Sequence, residues 1–162
     1  MAINLRPRWQ SIQHYIVAGL VFAALYLVYF AVASPQHEFP LNDDWGYSQA
    51  VRHLVNTGEL RISDWASATT VFQTYWGALF AFLAGGFSLS AMRWSALAFS
   101  FISCLALYDL LLQLGISRRI ALLGGVTLVA SPLFIYLSYT FMSDVFYFGL
   151  MLLSITCYVR GI

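Results

Sequence analysis

The apolar positions of this chain fall in long unbroken runs rather than in amphipathic stripes. Residues 13–33 carry no charge and contain IVAGLVFAALYLVYFAVA from Ile16 to Ala33, close to the roughly 20 residues that cross about 30 Å of hydrocarbon as a helix. Residues 91–114 are apolar apart from Arg93 at one end and Asp109 near the other, and residues 120–139 carry no charge at all. Residues 145–160 form a shorter run, which crosses if Arg160 snorkels at one end and the preceding YTFMSD sits at the opposite interface. Segment 71–87 interrupts its apolar pattern with Gln73, Thr74 and three glycines. Its hydropathy admits either a crossing or a helix lying in the interface, with Phe72, Trp76, Leu79 and Leu83 on an aromatic-rich face.

Charge placement separates these alternatives. If 71–87 crosses, Arg118 and Arg119 fall outside the membrane and Asp144 inside. If it lies in the interface, Arg6, Arg8, Arg118, Arg119 and Arg160 are cytoplasmic and only Arg52, Arg61 and Arg93 are external, as the positive-inside rule favours. The expectation is therefore an all-α, polytopic membrane protein forming a single membrane domain over 1–162. It has about four transmembrane helices (13–33, 91–114, 120–139, 145–160) and an external loop, 34–90, of juxtamembrane amphipathic helices. The N-terminus is cytoplasmic and the first span is an uncleaved anchor. Glu38, Asp43, Asp44, Glu59, Asp64 and Asp144 gather outside. Asp109 stays near the inner end, where an ion pair with Arg118 or Arg119 is expected.

Composition narrows the function classes. Of 162 residues 60% are hydrophobic and only 9% charged, whereas a soluble domain covers its surface with about 25% charged residues. A soluble enzyme and a disordered chain are both excluded. All basic residues are arginines, scattered along the chain, so there is no basic patch to follow a phosphate backbone and no nucleic-acid partner is expected. Cys104 and Cys157 both sit in apolar runs and report nothing about redox compartment.

A loop of more than fifty residues between the first two spans is where function is expected. After Pro40, Asn42-Asp43-Asp44 supplies N-cap candidates, and Trp45 to Asn56 has apolar residues at helical spacing. Gly58 suits the C-terminal cap. The two adjacent carboxylates carry two readings. In one they satisfy free N–H groups and the helix dipole. In the other, one of them is a general base at the lipid–water boundary. Asp144 likewise either caps the helix it opens or faces the acidic pair across a cavity. Arg93 either anchors its helix at the interface or holds a lipid phosphate in a bidentate grip. His37 and His53 lack paired metal-ligand spacing. Trp45, Trp65, Tyr75 and Trp76 stack on a sugar ring or form an interfacial belt. Gly85-Gly86 reads as a turn and Gly124-Gly125 as a close helix contact.

Taken in order, these motifs resemble the first part of the GT-C membrane glycosyltransferases, in the protein mannosyltransferase and aminoarabinose transferase branch. The resemblance is carried by Asn42-Asp43-Asp44-Trp45-Gly46-Tyr47 and Asn56-Thr57-Gly58-Glu59-Leu60. Gly85-Gly86-Phe87, Arg93, Arg118-Arg119, Ser131-Pro132 and the SYTFMSD segment ending at Asp144 continue it. It implies inverting transfer of a sugar from a polyprenyl-phosphate donor to an acceptor at the external face of a membrane, in a bacterium the inner one. Asp43 would be the catalytic base, with Asp44, where the family often has Glu, and Asp144 at the same cavity. Arg93, Tyr47, His53 and Trp45 would bind substrate, and a divalent cation, if used, would fall to Asp43 and Asp144. The family's members are longer, so the resemblance also implies the N-terminal piece of a larger protein. The competing expectation is a noncatalytic four-helix membrane assembly or lipid-headgroup-binding protein in which the acidic pair only caps a helix. A transporter fragment is weaker, because no ionisable group lies near the middle of a span.

Overall fold

A computed structural model of the chain describes residues 8–33, 38–41, 43–66 and 70–161. It is all-α, with no strand among the described residues: α1 (Arg8–Ala33), α2 (Asp44–Thr57), α3 (Val71–Leu83), α4 (Leu89–Gln113), α5 (Arg118–Ala130), α6 (Pro132–Ser138) and α7 (Ser143–Gly161). His37 and Asn42 lie outside the described residues.

Side-chain contacts fix the direction of each long helix. Along α1, Tyr15 donates its hydroxyl to the Asp109 carboxylate, Tyr26 meets Cys104 Sγ at 3.7 Å and the Phe30 ring lies 5.2 Å from Trp94. Positions rise on α1 as they fall on α4, so the two are antiparallel. Between α4 and α7 they rise together: Phe99 stacks on Phe146 at 5.3 Å, Thr156 Oγ1 reaches the Ala106 carbonyl at 3.4 Å, and Arg160 Nη2 lies 2.8 Å from Asp109 Oδ2. These helices are parallel, and α5 with α6 supplies the return. One end of the bundle thus holds the end of α1, the loop helices α2 and α3, the start of α4 and the start of α7. The opposite end holds Tyr15, Asp109 and Arg160.

This register corrects one expectation. Asp109 pairs with Arg160, not with Arg118 or Arg119. Parallel packing delivers the last turn of α7 to the last turns of α4, and Tyr15 and Gln113 Nε2 complete the carboxylate's partners.

By length and composition α1, over Ile12–Val32, and α4 are each able to cross a membrane. The pair α5 and α6 passes the same test together but is bent by 69°. Pro132 causes the bend: it lacks an N–H, and it drives Ser131 out of the helical region, to ψ 121°. At 13 residues α3 is about 20 Å long, short of a bilayer core. It is built inside out, burying Gln73, Thr74, Gly77 and Ala81 while exposing Val71, Tyr75, Leu79, Phe82 and Leu83. Large apolar side chains also face outward along α1, at Leu20, Leu27 and Val32, a surface that water does not tolerate on this scale.

Candidate functional site

Helical periodicity separates the two adjacent acids of the loop. Asp44, Tyr47, Ser48 and Val51 share one face of α2 at i, i+3, i+4 and i+7 spacing, and all four are buried. Asp43, one residue earlier, falls off that face and is exposed. It occupies the N-cap position, yet its side chain makes no capping bond. Gly58 ends the helix in the left-handed conformation, φ 78°, with its N–H on the Leu54 carbonyl at 2.8 Å.

Asp44 is only 1% exposed and faces Arg93, 4% exposed, at 4.0 Å between Oδ2 and Nη2. That separation makes the pairing Coulombic rather than a direct hydrogen bond. The other carboxylate oxygen accepts the Leu41 N–H at 2.9 Å. Burial pushes the Asp44 carboxyl above its ordinary range; the Leu41 N–H, the Arg93 guanidinium and the N–H groups of Trp45 and Phe141 pull the other way. Arg93 also donates to the Phe39 carbonyl and lies over the Phe39 ring, 5.7 Å from its centroid. It therefore ties the incoming loop to α4. Glu38 makes a second tie: its carboxylate accepts the free N–H groups of Leu89 and Ser90, at 2.9 and 3.0 Å, at the start of α4. The Ser90 hydroxyl, against a smaller burial penalty, and these N–H groups hold the Glu38 carboxyl below its usual range, with Arg93 adding to them.

The segment before α7 joins this end. Gln73 Nε2 donates to the Phe141 carbonyl at 2.9 Å, while the Phe141 N–H acts on Asp44. The backbone of a single residue, Phe141, therefore connects α2, α3 and the approach to α7, three residues ahead of Asp144. Asp144 is exposed in the first turn of α7 and borders a cavity of about 300 Å³ between α3 and α7, lined also by Thr70, Phe72, Gln73, Ser143 and Tyr147. Neither Asp43 nor Asp44 lines it. Asp144 makes no hydrogen bond or ion pair among the described residues.

The remaining candidates divide between core and surface. Tyr47 is buried with Val51, Ala81, Ala91 and Met92. His53 is half-buried on α2, where its carbonyl accepts the Thr57 hydroxyl at 2.9 Å. Trp45 is exposed and packs on Trp65, ring centroids 5.8 Å apart. Trp76 is held by a bond from Nε1 to the Ser95 carbonyl at 2.8 Å. Sequence reasoning did not single out Thr70 or Glu38 for the site; Gln73 was visible only as a polar break in an apolar segment. Among the described residues no group of three His, Cys, Asp or Glu side chains converges as a metal centre would require.

No family model, curated protein or solved structure matches this chain.

Proposed function

We propose that the chain is the catalytic-loop module of a membrane glycosyltransferase, with four spans, α1, α4, the bent α5–α6 pair and α7, and its loop end on the external face. At 19 residues α7 is about 28 Å long, enough to cross with Arg160 snorkelling at the far end. The observation that carries the reading is the division of labour in the acidic pair. Asp44 is buried against Arg93 and anchors α2, which leaves Asp43 exposed at a helix start on the end of the bundle that also bears Asp144.

In the proposed reaction an acceptor hydroxyl gives its proton to Asp43 as its oxygen forms a bond to the anomeric carbon of a polyprenyl-phosphate-linked sugar. The bond from that carbon to the phosphate oxygen breaks, the electron pair leaves with polyprenyl phosphate, and the configuration inverts. The bilayer holds the donor's chain and fixes its headgroup at the loop end, which supplies proximity. Asp144 marks the neighbouring cavity, and Trp45 flanks Asp43 as an exposed aromatic face.

A noncatalytic headgroup-binding role is favoured by one specific observation, that the Asp144 cavity excludes both members of the acidic pair. Transfer of a labelled sugar from a polyprenyl-phosphate donor by the full-length protein separates the two. Asp43→Asn abolishes transfer under the first reading. Headgroup binding with no transfer by the native protein establishes the second.

A further inference from the structure

On the half of the bundle nearer the loop helices, an apolar groove of about 520 Å³ runs beside 23–30 of α1 and 94–102 of α4, and Phe80 of α3 forms its third wall. The order of packing produces it. α1 packs on α4 and α5 whereas α3 packs on α2 and α4, so α1 and α3 flank α4 with a gap between them. Trp76 pins α3 to α4 through the Ser95 carbonyl at 2.8 Å, and Phe80, one turn later, borders the gap. The small side chains of Ala23 and Ala98 leave the groove deep. Toward the middle of the bundle it closes where Phe101 approaches α1 at Gly19; a Cβ there would stand 3.7 Å from the Phe101 ring.

The lining presents almost no polar surface, since the Tyr26 hydroxyl is turned to Cys104. A sugar, a headgroup or an ion finds no partner there, so the occupant is hydrocarbon. The dimensions select which hydrocarbon. At 1.5 Å per helical residue the groove is about 12 Å long, within the roughly 15 Å of hydrocarbon in one leaflet. A membrane-spanning helix of a partner or of a second copy seats through both leaflets, whereas this groove stops at Phe101. Volume and length give a mean cross-section of about 40 Å². An α-helix about 10 Å across needs roughly twice that section. Two extended acyl chains lying side by side fill it, and a single chain leaves part of the wall without contacts. Leu27 and Trp94, both exposed, flank the open side, through which chains enter from the bilayer.

We propose that this groove holds the paired acyl chains of one phospholipid from the leaflet at the loop end, and that the lipid braces α3 against α1. The proposal needs only that α1 and α4 lie in a bilayer; it does not rest on the transferase reading.

The test is native mass spectrometry of the purified full-length protein, stripped of lipid in detergent and titrated with dioleoylphosphatidylcholine, with oleoyl lysophosphatidylcholine or with polyprenyl phosphate. The diacyl lipid is expected to bind at least about tenfold more tightly than the lysolipid, whose single chain buries fewer methylenes, and to stay bound when polyprenyl phosphate is added. Ala98→Phe fills the groove from α4 and Ala23→Leu from α1, and each is expected to weaken diacyl binding by at least about tenfold. An unfolding midpoint in lipid-free detergent equal to that of the native protein shows that the variants fold. Added diacyl lipid is expected to slow amide hydrogen exchange in α3 of the native protein and of neither variant. Equal binding of the lysolipid, diacyl binding that both variants leave unchanged, displacement by polyprenyl phosphate, exchange in α3 indifferent to lipid, or a dimer that Ala98→Phe disperses overturns the proposal. The transferase reading is judged separately, by the effect of Asp43→Asn on sugar transfer.

Discussion

Asp44 and Arg93 lie 4.0 Å apart with almost no access to solvent, although 49 positions separate them and each stands at the start of a different helix. Breaking such a pair strands a buried charge, at a cost of about 3–5 kcal/mol. Arg93→Met is expected to destabilise the loop end by that amount. The double variant Arg93→Met/Asp44→Asn is expected to recover more than half of it, because no charge is then left unpaired. Thermal unfolding in detergent measures both.

The sign of the pH dependence follows from the same carboxyl. Burial raises the Asp44 pKa in the folded state, so the folded chain holds this proton more tightly than the unfolded one. Its contribution to stability is complete below the ordinary carboxylate value and is lost as pH rises through the folded value. Removing Arg93 takes away a group that lowers that pKa, so the Arg93→Met penalty is expected to shrink on acidification. A penalty that grows at low pH contradicts the assignment.

Glu38 titrates in the opposite sense. Its folded pKa is lowered by the Ser90 hydroxyl and the N–H groups at the start of α4. Its stabilisation is present above the ordinary value and lost as pH falls through the folded one. Glu38→Gln is expected to cost about 1 kcal/mol at neutral pH, and to speed hydrogen exchange at Leu89 and Ser90 before it affects the middle of α4.

Close approach of α4 and α7 depends on Gly149. A Cβ there would stand 2.2 Å from Ser103 Oγ and 2.6 Å from a Phe99 ring carbon. Gly149→Val is expected to separate the helices and cost about 1–3 kcal/mol. Ser103→Ala added to Gly149→Ala is expected to restore part of the loss, which unfolding midpoints report.

Much of this architecture was legible in the sequence because long apolar runs, Pro132 and Gly58 act locally. The expected helix end at Gly58 and the turn at Gly85 coincide with the helix ends, and Gly124 and Gly125 pack against Leu111 and Phe22 as a close contact requires, whereas Pro132 divides the span expected over 120–139 into α5 and α6. The Asp109–Arg160 pair was not legible, since it depends on which way two distant helices run. Nor was the unequal fate of Asp43 and Asp44, adjacent residues that helical rotation places on different faces. The role of Gln73 was hidden for a related reason: α3 turns its polar residues inward, against the pattern that marks a polar face as the exposed one.

Whether the loop acids and Asp144 share the external membrane face is tested most directly by cysteine labelling in intact cells. In a background with Cys104 and Cys157 replaced by alanine, single cysteines at Glu59, Asp144 and Arg118 would be probed with a membrane-impermeant maleimide. Glu59→Cys and Asp144→Cys are expected to react from outside and Arg118→Cys only after permeabilisation, the pattern of a shared external face. Labelling of Asp144→Cys together with Arg118→Cys, and apart from Glu59→Cys, would contradict it.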